Sequence, residues 1–175
     1  MKKRIALLVF GLCAVLAVGC APTTRPVSEL PVEPVILSHL GDTQKRSYVA
    51  GVKQNLRHLL ATAGDLASRN KPAPLSQLAS QAQKYIETYV RPAIADPTLS
   101  EDLETRMEVA KVHLLVGYVY ARCGTTKQAG KDVELFKRRY ADDPAVLSSA
   151  LDRNDFDADN LGQALQTLER LLGRG

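Results

Sequence analysis

Tryptophan is absent from this 175-residue chain, phenylalanine occurs three times, and aromatics together make up 5% of it. A core must therefore be assembled mainly from Leu, Val, Ile and Ala. That palette suits packed helices better than a sandwich, which recruits more aromatic and β-branched residues. Cysteine is scarce: Cys13, Cys20 and Cys123 are too few for a disulfide framework. The three histidines, His39, His58 and His113, show no metal-ligand spacing with one another or with Cys123. There is no phosphate-binding G-x-x-x-x-G-K-[ST] loop and no dinucleotide fingerprint. Cys123 before Gly124 comes nearest to a nucleophile on a turn, and no histidine pairs with it. The chain therefore reads as non-enzymatic, with no cofactor.

Clustered charge of one sign is missing as well. The formal net charge is +4, from 23 basic and 19 acidic residues. Lys2, Lys3 and Arg4 stand in a segment expected to be cleaved, and 23 − 3 = 20 leaves near balance. A nucleic-acid partner is not expected from such a surface. The basic group Lys137-Arg138-Arg139, with Lys127 and Lys131, is interleaved with Asp132 and Glu134 and reads as a solvated helix face.

Nor is there an apolar run of membrane-spanning length. The longest, Ile5 to Val18, has 14 residues, against about 20 needed to cross a bilayer. Preceded by Lys2-Lys3-Arg4, it has the form of a signal-peptide core. It ends in Leu16-Ala17-Val18-Gly19-Cys20, which resembles the lipobox of bacterial lipoproteins: small residues lead to a cysteine whose thiol takes a diacylglyceryl group. The family usually has Leu three residues before the cysteine, where this chain has Ala17. Cys13 is a poor rival because bulky Leu12 precedes it. An ordinary secretory signal or an N-terminal membrane anchor is the alternative. The resemblance implies cleavage after Gly19, lipidation of Cys20 and membrane attachment through its acyl chains. Ala21, rather than Asp, after the cysteine implies sorting to the outer membrane, facing the periplasm.

Three regions follow: a signal peptide over 1–19, a lipidated cysteine and tether over 20–37, and a helical domain over 38–175. The tether carries Pro22, Pro26, Pro31 and Pro34, a density that favours extended chain and a spacer role. From Asp42 the period changes. Val49, Val52, Leu56, Leu59, Ala63 and Leu66 recur at steps of three and four, one helical stripe with Asp42 as N-cap. Asn70-Lys71-Pro72-Ala73-Pro74 stops it.

A second helix is predicted over 75–90, bent or ended at Arg91-Pro92. Ser100, before Glu101 and Asp102, is the predicted cap of a third. Its stripe runs through Leu103, Met107, Ala110, Leu114, Gly117 and Ala121. A fourth spans 126–140. Asp143-Pro144 opens a short helix through Leu151, and a last one covers about 159–172. No segment alternates with period two. The predicted fold is all-α, a small helical bundle or a stack of antiparallel helix pairs.

The segment 110–144 resembles one tetratricopeptide repeat, through Gly117, Tyr120, Gly124 and Ala129 at spacings of 3, 4 and 5. His113 stands where the family often has Trp, Phe136 where it prefers Ala, and Pro144 comes three residues late. A generic helical hairpin explains the same residues. The resemblance implies that Gly117 and Ala129 let the two helices approach, that Tyr120 wedges between them, and that Gly124 makes the turn. It also implies a concave surface for a protein partner, with His113, Tyr118, Tyr120 and Arg122 as candidate contacts.

Asp155, Asp157 and Asp159 open like an EF-hand-type calcium loop. Position six is Asn160 rather than Gly, and position twelve is Gln166, which cannot supply a bidentate carboxylate. Capping of the last helix is the competing reading. Cys123, the only thiol left once Cys20 is acylated, is either a buried small hydrophobe or an intermolecular disulfide site. The expected function is a lipid-anchored helical adaptor for another envelope protein. A cell-wall-associated or ligand-binding lipoprotein is the alternative.

Overall fold

A computed structural model describes residues 37–151 and 156–173. The lipobox with Cys20, the tether through residue 36 and Asp155 lie outside the described residues. Leu37, assigned above to the tether, is instead buried in the core at a short 3-10 turn, Leu37–His39.

Helix α1 (Asp42–Ser68) buries Val49, Val52, Leu56, Leu59 and Ala63, the stripe read from the sequence. Its cap is Gly41 rather than Asp42: the Gly41 N–H donates to Gln44 Oε1 at 3.1 Å, and Asp42 stands in the first turn beside the positive end of the helix. Asn70, at φ 51°, takes the left-handed conformation that ends a helix. Pro72 then opens α2 (Pro72–Tyr85), since an N–H missing in the first turn costs nothing. The proline pair thus starts the second helix as well as stopping the first.

That helix does not end before Pro92. A π-helical turn, Ile86–Val90, leads directly into α3 (Arg91–Ala95), with the Arg91 N–H donating to the Ile86 carbonyl. The wider turn shifts the hydrogen-bond ladder by one residue, so Pro92 falls in the first turn of α3, where it is tolerated. Leu99 is buried from a 3-10 turn, Pro97–Ser100, which delays the next helix. Asp102, not Ser100, caps α4 (Leu103–Arg122), its Oδ1 accepting from the Thr105 N–H at 3.1 Å.

Gly124, at φ 77°, turns the chain into α5 (Thr126–Tyr140), and the Thr125 N–H closes the turn on the Tyr120 carbonyl at 2.9 Å. Asp143 caps α6 (Pro144–Leu147), accepting from the Val146 N–H. This helix stops at Leu147, short of the expected Leu151, because Ala150 pairs with Asn160 in an isolated antiparallel bridge. The bridge brings Phe156 into the core, edge-on to Tyr118 at 5.2 Å. Asn160 caps α7 (Leu161–Leu171), accepting from the Gln163 N–H at 2.9 Å.

The fold is an all-α helical bundle. Helix α4 is its centre, with α1, α5 and α7 packed against it. Every residue from Val112 to Tyr120 is buried, so α4 is covered on all sides. The one-sided stripe expected for it therefore needs correction at its ends: Leu103 is exposed, and Met107 and Ala121 are only partly buried. Gly117 also serves a different neighbour. A Cβ built there meets Leu168 Cδ2 of α7 at 2.7 Å, so the room that Gly117 leaves is filled from α7. Among the described residues, no helix is long and apolar enough to cross a membrane.

Candidate functional site

Three ionisable side chains meet where α3, α4 and α5 pack. Arg91, the first residue after the π-helical turn, reaches across to α5, its Nη1 2.6 Å from Asp132 Oδ1. Glu87, one turn earlier, lies 3.7 Å from the Arg91 Nε. His113 projects from the enclosed part of α4, with Nε2 3.8 Å from Asp132 Oδ1, too far for a hydrogen bond. The rings of Phe136 and Tyr140 stand edge-on to it, at 5.6 and 6.2 Å.

Burial decides the charge states. The side chains of His113 and Asp132 are 3% and 1% exposed. Burial, reinforced by the Arg91 and Arg139 cations, pushes the His113 imidazole down to about 3, so it is neutral at neutral pH. Burial raises the Asp132 carboxyl, while Arg91 pulls it the other way. The Tyr120 hydroxyl, on the same helix as His113, is pushed up to about 12, first by burial. A general base needs a pKa near the working pH and a route to substrate. His113 has neither, and neither ring nitrogen has a protein hydrogen-bond partner. The cluster's evident work is to tie α3 to α5.

The candidate partner contacts separate here. His113, Tyr118 and Tyr120 are buried, and of the four only Arg122 is exposed. They occupy the sides of α4 that its neighbours cover; Tyr118, for example, donates its hydroxyl to the Ala164 carbonyl of α7 at 2.8 Å. Of the hairpin residues, Ala129 and Tyr120 are buried between helices and Gly124 makes the turn. Cys123 is buried, and burial pushes its thiol up, which favours a small core hydrophobe over a disulfide-forming thiolate.

Asp155 lies outside the described residues, and Asp157 and Asp159 stand just before the last helix. Helix α7 begins at Leu161, so Gln166, the twelfth position, lies inside it. The Asp159 N–H donates to Gln163 Oε1 while Asn160 accepts from the Gln163 N–H, a reciprocal cap of the helix start. Among the described residues, no three His, Cys, Asp or Glu side chains are placed to hold a metal ion.

A shallow polar basin of about 130 Å³ lies between the starts of α1 and α4, lined by Asp42, Lys45, Arg46, Thr98, Leu99, Glu101, Asp102 and Thr105. Lys45 is buried and donates through Nζ to Thr98 Oγ1 at 2.5 Å, and Thr98 in turn donates to Asp96. Arg46 pairs with Asp102 at 3.1 Å. Hydrogen bonds from Thr105, with the Arg46 charge, hold the Asp102 carboxyl below its usual range. Lys53 and Lys111 converge on Glu108 further along. In the sequence, Lys45 is marked by preceding Val49, Val52 and Leu56 on the apolar stripe of α1. The basin fastens α1 to α4, and its charges are of both signs.

No protein-family model, curated protein or solved structure matches the chain.

Proposed function

We infer that this protein is a non-catalytic, lipid-anchored helical adaptor on the periplasmic face of the outer membrane, binding another envelope protein. The observation that carries the reading is the sequence Leu16-Ala17-Val18-Gly19-Cys20 after Lys2-Lys3-Arg4 and a short apolar run. Acylation of Cys20 supplies the anchor, and Ala21 favours outer-membrane sorting. The non-catalytic assignment is supported by the burial of His113 and Asp132 inside the bundle. The binding role is supported by the order of the helices. The α1/α2 and α4/α5 hairpins follow one another, and α7 lies against α4 and α5, as in tetratricopeptide-like pairs closed by a final helix. The partner then meets the outer surface of the bundle rather than the tyrosines of α4.

Crosslinking in cells, then purification of the lipidated protein in detergent and mass spectrometry, tests this. The expected result is one reproducible envelope partner that Cys20→Ala removes by releasing the protein from the membrane. Recovery of nothing but the protein itself would overturn the adaptor role.

A further inference from the structure

The outward face of α5 carries exposed cations around one exposed leucine. Its buried side is formed by Ala129, Gly130, Asp132, Val133, Phe136 and Tyr140. The flanking charges are engaged within the bundle. Lys137 pairs with Glu169 of α7 at 2.6 Å, Arg139 donates to the Ile94 carbonyl and to Ser100 Oγ, and Asp132 holds Arg91. Opposite the buried side, exposed to solvent, lie Lys127, Lys131 and Arg138. Helical spacing of 4 and 7 puts these three on one line. Glu134 is the acid on that line, and Leu135 beside it is 41% exposed, one of the few large apolar side chains left open. Among the described residues, none of the three cations is in an ion pair.

We propose that this face, Lys127–Lys131–Leu135–Arg138, docks on an anionic bilayer surface, the cations on lipid phosphates and Leu135 at the acyl boundary. Charge complementarity gives the class of partner, and an apolar knob set among cations is the pattern of interfacial helices. The proposal rests on the anchor reading for proximity. Residues 21 to 36 span at most about 55 Å, so a domain tethered at Cys20 never leaves the reach of the lipid. Such tethering makes docking effectively intramolecular, and weak contacts then suffice. An acidic protein partner has no comparable standing concentration.

The chain has no tryptophan, so Leu135→Trp places a single reporter beside the three cations. The acylated variant is reconstituted in vesicles of phosphatidylcholine with about 30% phosphatidylglycerol, and in phosphatidylcholine alone. The expected result is emission shifted to shorter wavelength, and quenched by brominated acyl chains, only with the anionic lipid. Each cation contributes about a fivefold factor to surface binding. Lys127→Ala/Lys131→Ala/Arg138→Ala should therefore weaken docking about a hundredfold and restore the water-exposed spectrum. A spectrum indifferent to lipid charge, or unchanged by the triple substitution, overturns the proposal. If the purified chain carries no acyl group, the anchor reading falls by itself. Titrating the same tryptophan with added anionic vesicles then decides the face.

Discussion

Replacing His113 by leucine should remove much of the protein's sensitivity to mild acid. The imidazole lies against Phe136 and Tyr140, and its pKa in the fold is about 3. In the unfolded chain it is about 6.5. Below pH 6.5 the unfolded state binds a proton that the folded state refuses, so stability falls as pH falls, by about 1.4 kcal/mol per pH unit. Between pH 7 and pH 5 the loss assigned to His113 is about 2 kcal/mol. Asp132, raised by burial, acts in the opposite sense, because the folded state takes up its proton first. That contribution is common to both proteins and largely cancels in the comparison. Urea unfolding, followed by helical circular dichroism at pH 7, 6 and 5, measures the difference. The native protein should lose about 2 kcal/mol more than His113→Leu across this range, whatever their relative stabilities at pH 7. Parallel stability curves for the two proteins would refute the burial argument and place His113 in contact with solvent.

The Arg91–Asp132 pair should respond asymmetrically. Arg91→Met strands a carboxylate that is 1% exposed and should cost about 3–5 kcal/mol, whereas Asp132→Asn leaves an arginine 27% exposed with Glu87 nearby and should cost less; equal losses in urea unfolding would contradict this. Gly64→Ala, with open space around the new methyl group, should stabilise α1 by about 1 kcal/mol. Gly117→Ala, whose methyl group meets fully buried Leu168, should instead destabilise by about 1–2 kcal/mol net of the helix gain; a stabilised Gly117→Ala would show that α7 yields. Asn160→Ala removes the cap of α7 and should cost about 1 kcal/mol, read as a lower thermal midpoint.

The first helix was legible because its burial is one-sided, so the step of three and four survives in the sequence from Val49 to Ala63. Helix α4 was legible as a helix but not as the centre of the bundle. Apolar residues run through all its faces from Val112 to Tyr120, and a stripe picked from such a run is arbitrary. The same enclosure removed His113, Tyr118 and Tyr120 from the surface. Pro92 reads as a bend or a terminus because proline breaks an α-helical ladder, and nothing local announces a π-helical turn that absorbs it. The hairpin turn at Gly124 was readable from the residue itself, because a left-handed position selects glycine. The steric role of Gly117 was readable too, but not its partner Leu168, which is distant in sequence. Charge patterning along α5 puts Asp132 on a mixed-charge surface. Its pairing with Arg91 depends on tertiary packing that charge patterning along one helix does not contain.

The adaptor reading depends first on Cys20 carrying the anchor. Intact-mass analysis of the protein extracted from membranes tests it directly. The expected species begins at Cys20 and bears a diacylglyceryl group, with unmodified protein accumulating when Cys20 is replaced by alanine. A membrane-derived chain that retains Met1, or one cleaved elsewhere with a free Cys20 thiol, would contradict it.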